Sequence, residues 1–184
     1  MQKCNVALAK LTSVGFLAGV GLMAGVALGA QPLAIGTLLV ATAQSHDPDF
    51  ARSVVVLIRY DAKSAVGLML NKATAVAITE VLPDAKGKSI MVFAGGPVAI
   101  GVRGLLRLKA SPYFAVVSNK PELLSMLERG SPPIRIYAGY AGWTAEQLGS
   151  EVARGLWKVL PPNAGSLFDP HPETLWRRLV PTVQ

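Results

Sequence analysis

Few side chains in this chain of 184 residues could carry out metal or acid–base chemistry. The two histidines, His46 and His171, are separated by most of the sequence, and the nearest carboxylates are those of Asp47, Asp49 and Asp169. Two imidazoles and a carboxylate could bind a zinc-type ion if the fold brought them together. Each histidine instead adjoins a polar, proline-containing segment typical of a loop. We therefore predict no metal site and no cofactor.

Nucleophilic catalysis also lacks its usual sequence patterns. A serine nucleophile needs a neighbouring base and an orienting acid, and none of Ser53, Ser111 and Ser118 lies in a G-x-S-x-G turn. The single cysteine, Cys4, lies in an amino-terminal segment that we expect to be removed. The remaining domain would have no thiol chemistry and no disulfide. These features favour a protein that is not an enzyme, although an enzyme of another class stays open.

The amino terminus has the pattern of an export signal. Lys3 and Lys10 precede an apolar run over residues 11–30 that contains no Asp, Glu, Lys or Arg and ends in Ala27-Leu-Gly-Ala30. This pattern predicts cleavage after Ala30 and a periplasmic or exported domain over residues 31–184. Removal of residues 1–30 lowers the net charge of the chain from +7 to about +5. Two alternatives remain: an uncleaved inner-membrane anchor, or a misassigned start codon and a cytoplasmic protein.

The basic excess of the chain suggests an anionic partner. Arg103, Arg107 and Lys109 alternate along a predicted strand and would project from one face, and Arg177 and Arg178 add charge near the carboxyl terminus. An anionic polymer or lipid could bind such a basic face through salt-sensitive contacts. The sequence shows no helix-turn-helix, zinc finger or aromatic-rich RNA platform, so a nucleic-acid partner is disfavoured. The partner itself stays unidentified.

A glycine-rich aromatic segment is joined directly to a predicted helix over residues 137–148. Thr144 stands at the N-cap position with Gln147 three residues later, which predicts a capping box. Gly139 and Gly142 suggest a tight turn beside Trp143. A small anion held by the free amides of the helix N-terminus is the alternative interpretation.

The hydrophobic pattern predicts an α+β domain. Strands are expected over residues 37–43, 52–60, 65–71, 90–94, 101–108, 113–118, 134–140 and 156–160. The first two have nearly continuous apolar runs, which predicts burial on both faces or a position at the centre of the sheet. Helices are expected over residues 77–82, 120–129, 145–154 and 172–179. The close spacing of the second and third strands indicates a hairpin. We predict a single domain with a mixed, mostly antiparallel sheet flanked by helices.

Several sequence blocks, in order and spacing, resemble the YqgE/AlgH family. They begin with Gly36-Thr-Leu-Leu-Val-Ala, Asp47-Pro-Asp-Phe-Ala-Arg-Ser-Val-Val-Val-Leu57 and Ala65-Val-Gly-Leu-Met-Leu-Asn-Lys72. Gly95-Gly-Pro-Val98, the segment over residues 139–148 and Trp157 follow. The resemblance covers roughly residues 33–179. One departure is Tyr60-Asp61, where the family often has a histidine, so any role of an imidazole there is absent.

The resemblance implies a small single-domain fold and carries no catalytic residue over to this chain. It places five residues in the family's motif blocks, and we therefore predict that they line one ligand pocket: Asn71, Gly95, Gly96, Tyr140 and Trp143. Together with the predicted export signal, the resemblance favours an exported binding or regulatory module. Two alternatives stay open. Some members are linked to transcriptional control of exopolysaccharide production, which suggests a cytoplasmic regulator, and the pocket at Asn71, Gly95 and Trp143 could belong to an enzyme of unknown class.

Overall fold

A computed structural model describes residues 31–85, 89–130 and 133–180. The predicted export signal, residues 1–30, lies outside the described residues. Within those described ranges, no helix combines the length and the hydropathy that a membrane span requires.

Eight strands of the described chain form one sheet in the order β6-β5-β7-β3-β2-β1-β8, with β4 also paired to β7. The β4–β7 pair is parallel and the others are antiparallel, including the predicted β2–β3 hairpin. The predicted α+β class with a mixed, mostly antiparallel sheet is confirmed. The strands are β1 (Leu38–Ala41), β2 (Val54–Tyr60), β3 (Ser64–Met69), β4 (Val92–Ala94), β5 (Val98–Arg107), β6 (Phe114–Val117), β7 (Ile134–Thr144) and β8 (Trp157–Leu160).

Five α-helices accompany this sheet in the described part of the chain: α1 (Ile78–Val81), α2 (Lys120–Arg129), α3 (Ala145–Ala153), α4 (Ala164–Leu167) and α5 (Pro172–Leu179). The bounds of α2 are those predicted, because the Asn119 side chain accepts a hydrogen bond from the Glu122 amide and Gly130 ends the helix in the left-handed conformation. Helix α4 and a 3-10 turn at Pro48–Phe50 were not predicted, since both are too short to show a hydrophobic period.

Strand β7 is longer than predicted. We expected it to end at residue 140 in a glycine turn, but it continues to Thr144 and leads directly into α3. Gly139, at φ +73°, bends the strand internally. The first half of β7 pairs with β4 and β5, and the second half of β7 pairs with β3. The glycines therefore divide one strand between two parts of the sheet.

The predicted capping box forms only in part. The Thr144 hydroxyl accepts a hydrogen bond from the Gln147 amide at 3.0 Å. The Gln147 side chain donates to Glu151 instead of reaching back to the amide of Thr144. Of the two capping-box residues, only Thr144 therefore caps the helix.

Helices pack on both faces of the sheet. Along β1, Leu38 and Val40 face a cluster that includes Leu167 and Leu175 of α4 and α5, whereas Leu39 and Ala41 face a cluster beneath α3. Helices α1 and α2 cover a third cluster over β4, β5 and β7. The continuous apolar runs of β1 and β2 thus correspond to strands buried on both faces, as predicted.

Candidate functional site

Asn71 has a structural task at the start of β2. Its carboxamide oxygen accepts a hydrogen bond from the Val54 amide at 2.8 Å, and its nitrogen donates to the Arg52 carbonyl at 2.8 Å. Both ends of the side chain are therefore used to hold the turn before β2. The residue also lines an open recess described below.

Gly95 and Gly96 allow the chain after β4 to lie against β7. The Gly95 amide donates to the Ala138 carbonyl at 2.7 Å, and the Gly95 carbonyl accepts from the Met69 amide at 2.9 Å. A Cβ on Gly96 would lie only 2.2 Å from the Ala141 nitrogen. Gly95 is buried between strands, and Gly96 lines an apolar groove away from Asn71.

Trp143 belongs to a buried aromatic cluster. Its ring stacks on Phe50 with 5.3 Å between centroids and meets the edge of Trp157 at 6.0 Å. The Glu151 carboxylate accepts hydrogen bonds from the indole nitrogens of Trp143, at 3.1 Å, and Trp157, at 2.8 Å. The indole N–H of Trp143 is therefore bonded within the protein.

Tyr140 is half-buried beneath the Arg103 guanidinium, which lies 4.3 Å from the centre of its ring. Tyr140 and Trp143 line one recess, Gly96 a second and Asn71 a third. The structure thus places these predicted residues around separate recesses. A ligand at any of them stays a prediction.

Asn71 lines a recess rich in positive charge, a cavity of about 520 Å³. We call it the basic recess. It lies between the turn before β2, the end of β3 and helix α5, and its lining residues are Arg52, Asn71, Lys72, Glu173, Trp176 and Arg177. Three cations therefore face one carboxylate in this space. Such a surplus of positive charge favours an anionic ligand.

The backbone of Arg52 adopts a left-handed conformation, with φ +55°. For a residue other than glycine this conformation costs about 1–3 kcal/mol and persists only where the surroundings hold it. Asn71 stabilises this conformation through its hydrogen bonds with the Arg52 carbonyl and the Val54 amide. The Lys72 ammonium adds a hydrogen bond to the Ala51 carbonyl at 2.7 Å. Strain of this kind tends to occur at functional sites.

The charges of the basic recess are close and largely uncompensated. Partial burial lowers the pKa of Lys72, and the positive charge of Arg52 lowers it further. Neither the Arg52 nor the Arg177 side chain forms a hydrogen bond or ion pair with another described residue. The Arg52 guanidinium lies 5.9 Å from the centre of the Trp176 ring, and the Trp176 indole donates to the Ala41 carbonyl at 2.7 Å. The recess therefore has a fixed aromatic wall, and its two arginines have no anionic partner among the described residues.

Comparison with known proteins places the chain in a family. A family model described as AlgH-like, DUF179, matches residues 38–184. The chain belongs to the AlgH-like family. A UPF0301 protein of Streptomyces avermitilis is 34% identical in an alignment that covers 79% of this chain and 84% of that protein. A UPF0301 protein of Mycobacteroides abscessus is 33% identical in an alignment that covers 82% of this chain and 80% of that protein.

Two solved structures share the AlgH-like fold. The AlgH protein of Pseudomonas aeruginosa, determined in solution, matches with a TM-score of 0.65 and 28% identity and covers 78% of this chain and 84% of its own. The crystal structure of DIP2367 from Corynebacterium diphtheriae matches with a TM-score of 0.66 and 26% identity, with 83% and 88% covered. The resemblance to the YqgE/AlgH family is confirmed.

Sequence reasoning missed Arg52, Lys72 and Trp176 as candidate site residues of this AlgH-like chain. A partial signal existed, because Arg52 lies in the sequence block over residues 47–57 and Lys72 follows Asn71 in the block over residues 65–72. Trp176 precedes Arg177 and Arg178, whose charge suggested an anionic partner, but no sequence pattern linked it to Arg52 or Lys72. The approach of helix α5 to the two blocks depends on the tertiary fold.

Part of the predicted basic face is used to hold the carboxyl-terminal segment. The Arg107 guanidinium lies 4.8 Å from the centre of the Phe168 ring and donates to the Phe168 carbonyl at 3.1 Å. The Arg135 guanidinium donates to the Asp169 carbonyl. Lys109 lies beyond the end of β5 at Arg107 and does not continue the row. Arg103 and Arg107 thus contact different aromatic rings.

Asp169 and the two histidines do not form a metal site. Within the described ranges, no group of three or more His, Cys, Asp or Glu side chains is arranged to hold a metal ion. His46 is exposed, and His171 lies 3.6 Å from Glu173. Asp169 is paired with Arg178 and accepts a hydrogen bond from the His171 amide at 2.8 Å. Burial alone would raise the pKa of Asp169, but these two partners outweigh it and hold the pKa below its usual value.

Proposed function

We propose that this AlgH-like protein is a non-enzymatic binding module that takes a small anionic ligand in the basic recess. The observation that supports it is the strained backbone of Arg52, which Asn71 and Lys72 hold in place beside Trp176. A surface arginine needs no such support. A strained and doubly held arginine is better explained by a requirement for its position.

The lining of the basic recess defines the class of ligand. The planar guanidinium groups of Arg52 and Arg177 suit carboxylate or phosphate oxygens, with which arginine forms paired hydrogen bonds. The indole of Trp176 offers an apolar wall for the organic part of the ligand. A cavity of about 520 Å³ accommodates a small organic molecule. The ligand is therefore an oxyanion with a compact apolar or aromatic body.

Binding is favoured over catalysis by the composition of the recess. Among its described lining residues there is no serine, cysteine or histidine, and the single carboxylate, Glu173, lies beside His171 at the rim. Nucleophilic catalysis needs an activated nucleophile with a base in hydrogen-bond reach. Arginine and lysine beside a fixed indole suffice for recognition of charge and shape.

A two-dimensional ¹H–¹⁵N NMR titration tests this proposal. Inorganic phosphate and benzoate, added in separate series at constant ionic strength, should shift the amides of Arg52 and Lys72 and the indole N–H of Trp176. Benzoate should produce the larger shift at Trp176, because its ring can pack against the indole. Shifts spread evenly over the basic surface, or no saturable shift with either anion, would refute the basic recess as a binding site.

Two variants separate binding from folding. Arg52→Gly removes the guanidinium but suits the left-handed backbone, so we expect the stability to be kept or raised while affinity for benzoate falls at least about tenfold. Arg177→Gln should weaken binding as well, and Arg129→Gln, at the end of α2, should leave it unchanged. Equal affinities in Arg52→Gly and Arg129→Gln would contradict the proposal.

We also propose that the domain acts after export, on the basis of the sequence of residues 1–30. The test is fractionation of cells that express the protein with a carboxyl-terminal tag, together with the intact mass of the recovered chain. A periplasmic protein lacking the first 30 residues is the expected result. Full-length protein in the cytosol would refute export and would leave the binding proposal to be judged by the titration alone.

A further inference from the structure

A second group of cations surrounds Tyr140, and none of its members lines the basic recess. Two adjoining cavities of about 450 and 280 Å³ share Arg59, Val66 and Tyr140. We call them together the Tyr140 groove. Lys63 lines the larger cavity, and Arg103 lines the smaller one. Tyr140 and Arg59 thus line both cavities, and each cavity has one further cation of its own.

Irregularities in two strands accompany these cations. The register of β2 on β3 shifts between Leu57 and Arg59, and the register of β5 on β7 shifts between Val98 and Val102. Such bulges redirect the side chains that follow them and are enriched beside functional sites. Arg59 lies at the first irregularity, and Arg103 follows the second. Both guanidinium groups consequently line cavities that meet at one aromatic ring.

The aromatic ring also restricts the position of Arg103. Its guanidinium lies 4.3 Å from the centre of the Tyr140 ring. This cation–π contact limits the conformations of the side chain before any ligand binds. Tyr140 is itself held by the close approach of Gly96, where a side chain would collide with the Tyr140 carbonyl carbon. The groove is therefore partly preorganised, which reduces the entropy cost of binding.

The Tyr140 groove has little compensating negative charge. Asp61 lies 3.8 Å from Arg59, but its carboxylate also accepts hydrogen bonds from the Lys63 and Ser64 amides at 2.8 and 2.9 Å. In the described part of the chain, neither Arg103 nor Lys63 has a carboxylate partner, and the Tyr140 hydroxyl has no hydrogen-bond partner. Val66 and Val98 provide apolar lining between the charged ends. This arrangement suits a ligand with negative ends and an apolar centre.

We propose that the Tyr140 groove binds a ligand with two phosphate-type oxyanion groups joined by a short spacer, one group in each cavity. The planar forks of Arg59 and Arg103 match phosphate oxygens. Two anchored groups on one molecule give a higher affinity than one group, because binding of the first raises the effective concentration of the second. This site is separate from the basic recess, so either proposal can fail without the other.

The test compares a matched pair of probes, hexane-1,6-diol bisphosphate and hexyl phosphate. Affinities are measured by NMR titration in an Arg52→Gln, Arg177→Gln background, which disables the basic recess. The bisphosphate should shift the amides around Arg59, Arg103 and Tyr140 and should bind at least about tenfold more tightly than the monophosphate. Arg103→Gln should remove this preference, and Arg129→Gln should keep it.

Additional variants keep the test decisive if Arg103→Gln alters the fold. Arg59 is exposed, so Arg59→Gln should fold normally and remove the same preference. Arg103→Lys keeps the charge but loses the planar fork, and we expect an intermediate affinity. Equal affinities for the two probes, shifts confined to residues outside the Tyr140 groove, or an Arg59→Gln variant that matches Arg129→Gln would each overturn the proposal.

Discussion

Tyr137 carries the one buried side-chain polar atom of the described residues that lacks a hydrogen-bond partner. Its ring packs against Phe93 in the core beneath α4 and α5. Burial raises the pKa of this phenol to about 12, although the positive charge of Arg135 acts in the opposite direction. The Arg135 guanidinium lies close enough to lower this pKa, but the hydroxyl has lost its hydration without gaining a hydrogen bond of normal geometry, which destabilises the folded state.

Tyr137→Phe should leave the free energy of unfolding unchanged or raise it by about 1 kcal/mol, because it removes an unpaired buried hydroxyl. Urea unfolding at neutral pH measures the effect. Ser53→Ala is the matched control, since the buried Ser53 hydroxyl donates to the Phe50 carbonyl at 2.7 Å. Loss of this hydrogen bond should lower the free energy of unfolding by about 1 kcal/mol. A larger loss in Tyr137→Phe than in Ser53→Ala would show that the Tyr137 hydroxyl has a partner.

At the scale of elements, the junction of β4, β5 and β7 depends on glycine. Gly96 lies so close to Tyr140 and Ala141 that no side chain fits. Gly139 takes a positive φ and divides β7 between its two sets of partners. The same junction positions Tyr140, so the geometry of the Tyr140 groove depends on it.

Gly96→Ala should destabilise the protein by about 3 kcal/mol or more, because its Cβ would overlap backbone atoms that cannot move independently. Thermal unfolding measures the change. The control is Gly149→Ala in α3, where a Cβ would meet no atom within 4 Å. Alanine favours helix more than glycine does, so we expect that variant to gain up to about 1 kcal/mol. Similar melting temperatures for the two variants would contradict the close packing at Gly96.

At the scale of the whole molecule, arginine contacts attach the carboxyl-terminal segment to the sheet. Arg107 and Arg135 of β5 and β7 donate to carbonyl groups of the segment that joins α4 to α5. Arg178 pairs with Asp169 within that segment. These contacts position α5 and therefore Trp176, the wall of the basic recess. The charge of Asp169 consequently links the stability of the fold to the shape of the recess.

Asp169→Asn should lower the free energy of unfolding by about 1–3 kcal/mol at neutral pH, because it weakens charge-assisted hydrogen bonds. The pKa of Asp169 is lowered in the folded state, so its contribution is present above the unfolded pKa of about 3.9 and is lost as the pH falls through the folded pKa. The difference between the two proteins should therefore shrink below about pH 4 in urea unfolding.

The exposed Glu128 supplies the comparison for Asp169, because no hydrogen bond or ion pair of its side chain is present among the described residues. Glu128→Gln should change stability by less than about 0.5 kcal/mol at neutral pH. If the difference in stability between wild type and Asp169→Asn persists unchanged at acid pH, Asp169 contributes through its shape and not through its charge.

The sequence by itself determined most of the local elements and the class of fold. Asn119 and Gly130 fixed the ends of α2, the spacing of two apolar runs fixed the β2–β3 hairpin, and continuous apolar runs predicted strands buried on both faces. These features depend on neighbouring residues, so a local pattern contains them. Family membership followed from the blocks for the same reason.

Only the tertiary structure decided which distant side chains meet. Arg52 and Trp176 line one recess because β1 and β2 are adjacent and α5 packs across them, and no local pattern encodes that approach. Trp143 was grouped with Asn71 in the sequence, yet the fold places its indole against Phe50 and Glu151. Periodicity sets the face of an element on which a residue lies, whereas strand order and helix docking set what that face contacts.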